Sequence, residues 1–152
     1  RIEMDLAQRL GEHAEQLRED AVAHHRLAHE GHYEKLGEDF VRERLGVLID
    51  QVVAGVRDNS PVGMLRHVES VAEQRYHQGF QVEELQSFYN AVEEAIWGDL
   101  VAYEPRETLA AALATVGGII GAGKDRMAQV YVELASRHHA PAIDVDQLFA
   151  GV

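Results

Sequence analysis

Four histidines, His24, His25, His29 and His32, fall within nine residues. His25, His29 and His32 are separated by four and then three positions, a spacing that shares one face of a helix, where neutral imidazoles can take zinc, copper or haem iron. Gly31 opposes this by breaking a helix just before His32. A metal also needs three or four convergent ligands held by further hydrogen bonds, and short His-rich stretches are commonly solvated. Haem or metal binding through His25, His29 and His32 is therefore the second reading of the chain, and no cofactor is expected in the first. Two other metal patterns are absent. A dinuclear carboxylate centre in a helical bundle needs Glu-x-x-His on two helices, and no glutamate here has a histidine three residues on. His29-Glu30-Gly31-His32 spaces its histidines by three, one short of the zinc-protease pattern.

A second group, Arg75, Tyr76 and His77, stands just before Gly79. Cations in the last turn of a helix stabilise its negative end, which is the general helix-stop pattern. The functional alternative makes the group a ligand site, with Arg75 as an anion or effector contact beside the glycine turn. The run Gly118 to Lys124 fits the P-loop spacing GxxxxGK, but Asp125 stands where Ser or Thr would hold magnesium. A carboxylate there repels nucleotide phosphates, and no strand precedes the run. Gly117 and Gly121, one turn apart, instead suit a close approach of two helix backbones. Trp97, the sole tryptophan, reads as core or dimer-interface filler, and His138 and His139 as cations at a helix end. No serine, lysine or cysteine sits in a nucleophile motif, so an enzyme is not expected.

The elements that carry these groups are helices. Apolar residues recur at helical spacing nearly everywhere, and strict alternation over several residues is absent. Leu6, Leu10, Ala14, Leu17 and Ala21 form one stripe, read as an exposed amphipathic helix or half of a paired one. Residues 1–30 thus become a candidate dimerisation or signalling helix. Leu36, Phe40, Leu45, Leu48, Ile49, Val52 and Val56 form a wider face for the core. Ser60 and Pro61 open a third helix that Gly79 ends, with Leu65, Val68, Ala72 and Tyr76 inward. A fourth runs from about Val82 until Pro105 stops it, burying Leu85, Phe88, Tyr89, Val92, Ile96 and Leu100. A last segment spans Arg106 to Arg137, where four central glycines imply either a break or a close helix crossing. Ile143, Leu148 and Phe149 anchor a tail that docks back or leads to a further domain. The expectation is a single all-α domain over 1–152, with five to six helices in a globin-like or antiparallel bundle arrangement.

The net charge of −12 disfavours nucleic acid and anionic membranes, and no apolar run reaches the ~20 residues of a membrane span. With no cysteine and no secretory signal, the cytoplasm is the expected compartment. The chain begins at Arg1 rather than Met, which reads as a piece of a longer protein.

Between Leu65 and Leu100, Arg75 is followed by Gly79 and Phe80, an acidic helix start at Glu83 and Glu84, and spaced apolar positions. This pattern resembles the RsbRD N-terminal family of bacterial regulatory input domains, and a looser similarity extends from Val47 to Leu100. The resemblance implies a haemless globin-like helical domain, commonly dimeric, placed before a kinase or a STAS-type output module in stress signalling. It carries over no catalytic residue. A homodimer is expected, with candidate surfaces at Leu6, Leu10 and Leu17 and at Gly117 and Gly121. The histidine-rich N-terminal segment departs from the family pattern, and the output module that the resemblance implies does not lie within these 152 residues.

Overall fold

A computed structural model describes residues 2–28 and 35–139, with side chains from Leu6 to Leu27 and from Lys35 to Arg137. Among the described residues the chain is all-α, built from α1 (Ile2–Glu12), α2 (Ala14–Ala28), α3 (Glu38–Asp58), α4 (Val62–His77), α5 (Val82–Tyr103) and α6 (Arg106–His139). No described helix is long and apolar enough to cross a membrane.

The first two helices are nearly continuous, since the His13 N–H bonds the Arg9 carbonyl at 2.9 Å and the Leu17 N–H bonds that of His13 at 2.9 Å. Their stripe is real, but it faces the interior of its own chain. Leu6, Leu10 and Leu17 are each no more than 1% exposed, against α3 and α5. These three leucines are therefore withdrawn from any surface a partner can reach, which corrects the expectation that they join two subunits. One side of α1 and α2 must be covered, and the chain's own helices cover it.

Helix α3 is central and packs on every other helix. It buries Val41, Leu45, Leu48, Ile49, Val52 and Val56, as its periodicity requires, whereas Leu36 just before it is exposed. Asn59, in the left-handed conformation at φ 47°, ends it. Ser60 then accepts the Val62 N–H through Oγ at 3.2 Å, the expected start of α4.

Helix α5 opens with a capping box in which the Glu84 carboxylate accepts the Gln81 N–H at 2.9 Å. Helix α6 then runs unbroken through its glycines. The close approach occurs at Gly123, where a Cβ would lie 3.1 Å from Met64 Cγ and 3.3 Å from Tyr89 Cε1. Gly117 and Gly121 make no such approach, because a Cβ at either would meet nothing within 4 Å. Residues 118–125 are helical throughout, which disposes of a phosphate loop. The tail anchors Ile143, Leu148 and Phe149, and the side chains of His138 and His139, lie outside the described residues.

Candidate functional site

The turn after α4 is a Schellman motif. Gly79, at φ 87°, lets its own N–H reach the Tyr76 carbonyl at 3.0 Å and the Phe80 N–H reach the Arg75 carbonyl at 3.0 Å. That geometry folds Phe80 back over the last turn, where its ring faces the Arg75 guanidinium at 5.7 Å. Phe40, at the start of α3, faces the same guanidinium at 5.2 Å. Arg75 is only 5% exposed. Its Nη1 donates to Gln78 Oε1 at 2.9 Å, and its Nε is buried with no hydrogen-bond partner. No carboxylate among the described residues pairs with it. An arginine cannot shed its proton, so two ring faces and one amide hold a full charge in a nearly dry place.

Arg75 lines a small cavity of about 30 Å³ where α3, α4 and α5 meet. Arg44 and Leu48 come from α3, His67 and Val71 from α4, and Leu85, Phe88 and Tyr89 from α5. Arg44 makes no hydrogen bond or ion pair among the described residues. Burial, and then the positive charge of Arg44, hold the His67 imidazole below its ordinary range. The cavity thus joins two guanidinium groups and a histidine disposed to be neutral with an apolar wall.

Of the expected group, Arg75 alone enters this cavity. Tyr76 stands edge-on to Tyr131 at 5.3 Å and to His77 at 5.6 Å. The Tyr131 hydroxyl donates to the Phe80 carbonyl at 2.8 Å, so the tyrosines fasten the turn to α6. His77 is exposed.

The histidine cluster divides. His25 is buried edge-on against Phe88 at 4.6 Å, whereas His24 lies at the surface with Nδ1 2.9 Å from Glu94 Oε2. His29 and His32 lie outside the described residues, and among those described no three His, Asp or Glu side chains gather to hold a metal.

A second charged cluster had no motif to announce it. Arg9 Nε donates to Asp99 Oδ1 at 3.2 Å and its Nη1 to Glu104 Oε1 at 2.6 Å. His13 Nδ1 lies 2.5 Å from Asp99 Oδ2, and the Thr108 hydroxyl donates to Glu104 Oε2 at 2.5 Å. Burial pushes the Glu104 carboxyl up, but the bonds from Thr108 and Arg9 outweigh it and hold the group below the usual carboxylate range. The available signal was Asp99 itself, a carboxylate between Ile96 and Leu100 on an otherwise apolar face. This network ties α1, through Arg9, and His13 to Asp99 in α5 and to Glu104 just beyond it.

The family model described as the RsbT co-antagonist protein RsbRD N-terminal domain matches residues 6–143. The chain belongs to this family. The match runs from within α1 to beyond the end of α6, includes the Arg75–Phe80 turn of this RsbRD N-terminal domain, and reaches well beyond the Val47–Leu100 region of first resemblance. The RsbRD N-terminal domains form a regulatory family rather than an enzyme family. No curated protein and no solved structure matches the chain.

Proposed function

We propose that this RsbRD N-terminal domain is a non-catalytic sensory input module that acts as a homodimer upstream of a kinase or STAS-type signalling protein. The observation that carries the reading is Arg75, a buried charge without a carboxylate partner among the described residues, at the junction of three helices. Such a group does no bond-making chemistry by itself, but it makes the packing of α3, α4 and α5 sensitive to whatever neutralises it. A helical bundle with two packings a few kcal/mol apart shifts toward the one an effector prefers, and the dimer conveys the shift.

The dimer contact falls on the outer side of α5 and α6. Lys124 Nζ donates to Asn90 Oδ1 at 2.9 Å, which fixes the antiparallel register of these helices. Trp97 and Gly117 each lie about two turns further on and so share that side. Trp97 is 45% exposed and Val101 71%, while Gly117 and Gly121 leave open space beside them. A second copy fills that space.

Sedimentation equilibrium tests the arrangement. The wild type should be a dimer at high micromolar concentration, and Trp97→Glu should be a folded monomer. A wild type that stays monomeric, or a Trp97→Glu variant that dimerises as well as its parent, removes the proposed arrangement.

A further inference from the structure

We propose that the Arg75 cavity binds the carboxylate head of a short monocarboxylate of formate or acetate size, held by the guanidinium groups of Arg75 and Arg44. This assignment names the effector of the regulatory reading above and rests on that reading.

The first argument is a contrast within the chain. Arg9 is a largely buried arginine whose charge is met by two carboxylates, Asp99 and Glu104. Arg75 is more deeply buried and meets none among the described residues. The chain has 26 Asp and Glu residues, so acids are not scarce. Leaving a desolvated guanidinium unpaired costs several kcal/mol in general, and an anion entering from solvent removes that cost.

The second argument is donor geometry. Nη1 of Arg75 is engaged by Gln78, while Nε is buried and makes no bond. The buried guanidinium therefore keeps one unsatisfied N–H, a charged donor that a carboxylate oxygen can accept. Arg44 lines the same cavity from α3 and has no ion pair among the described residues, so a second cation is available without disturbing an existing one.

Size and polarity then narrow the class. A cavity of about 30 Å³, close to the volume of one water, admits no more than the head of a small anion and excludes nucleotides and sugar phosphates. Leu48, Val71 and Leu85 supply an apolar wall that suits a methyl group and offers a phosphate or sulfate no hydrogen bonds. Because the lining comes from α3, α4 and α5, the occupied cavity clamps three helices at once.

The test uses the whole chain in chloride-free buffer at constant ionic strength, titrated with sodium acetate, sodium formate, sodium phosphate or sodium sulfate. Heteronuclear NMR follows the Arg75 side chain, His67 and Leu85, and thermal unfolding follows stability. Acetate and formate should shift those resonances saturably and raise the unfolding temperature. Arg44→Gln, at a partly buried position with no ion pair among the described residues, should fold normally and bind at least about tenfold more weakly, the loss of one charged hydrogen-bond donor. Arg75→Met should abolish the shifts. No saturable shift with either carboxylate, or an Arg44→Gln variant that binds like the parent, overturns the site. Tighter binding of phosphate or sulfate overturns the carboxylate class. Binding that leaves the sedimentation behaviour unchanged overturns the effector role. Absence of binding in a protein that still dimerises leaves the regulatory reading standing without this ligand.

Discussion

Replacing Arg9 and Arg75 in turn by methionine, which keeps the length of the stem and removes the charge, should give unequal outcomes. Arg9 neutralises Asp99 and Glu104, whose side chains are only 6% and 5% exposed. Arg9→Met leaves those carboxylates buried with His13 and Thr108 as their remaining partners. Breaking a buried pair costs roughly 3–5 kcal/mol. Arg9 is one-fifth exposed, so the low end, about 3 kcal/mol, is expected. That is a large share of a total stability on the order of 10 kcal/mol. At roughly 2–4 °C per kcal/mol for a chain of this size, the unfolding temperature should fall by about 6–12 °C. Arg75→Met forgoes two ring contacts worth about 1 kcal/mol each and a bond to Gln78 of about 1 kcal/mol. Against this it abolishes an unpaired buried charge, a gain of about 1–4 kcal/mol. The net change should lie between about 2 kcal/mol of destabilisation and about 1 kcal/mol of stabilisation. Urea unfolding followed by circular dichroism measures both variants on one scale. If Arg75→Met is as destabilising as Arg9→Met, then Arg75 has a counter-charge in solution and the argument for an anion site fails.

Two further predictions follow from the same geometry. Gly117→Ala should stabilise the monomeric fold by about 1 kcal/mol through helix propensity, since its Cβ enters open space. Gly123→Ala gains the same propensity but loses about 1–3 kcal/mol where its Cβ presses on Met64 and Tyr89, so it should be less stable than Gly117→Ala; a denaturation series that reverses this order contradicts the placement of α6. For His67, the folded state holds the imidazole below its ordinary 6.5, so folding favours the neutral ring. Its contribution is complete well above that value and is lost as pH falls through 6.5 toward the folded value. The urea midpoint of the wild type should therefore drop more steeply than that of His67→Gln between about pH 7 and pH 5, and parallel curves would refute it.

The helix order was legible because each boundary has a local chemical cause. Ser60 and Pro61 start α4, Gly79 supplies a left-handed residue, and Pro105 closes α5, all within a few residues of their causes. Periodicity gave the stripes, but a stripe does not say what covers it. Leu6, Leu10 and Leu17 suit a subunit interface as well as a core, and tertiary packing chose the core. The glycines of α6 permit a close approach without specifying which of them makes it, and within the chain Gly123 does. At the candidate site only Arg75 carried a local signal, through its place before Gly79. Arg44 and His67 reach the cavity because α3 and α4 pack together, and Arg9 meets Asp99 across 90 residues of chain. Such encounters depend on how helices cross, and a linear pattern does not encode crossings directly.

The most direct measurement is sedimentation velocity of the chain at about 100 μM with and without saturating acetate, beside Arg75→Met. The account predicts a dimer whose association constant or shape changes with acetate in the wild type and stays fixed in Arg75→Met. A monomer under every condition, or an acetate response that Arg75→Met shares in full, contradicts it.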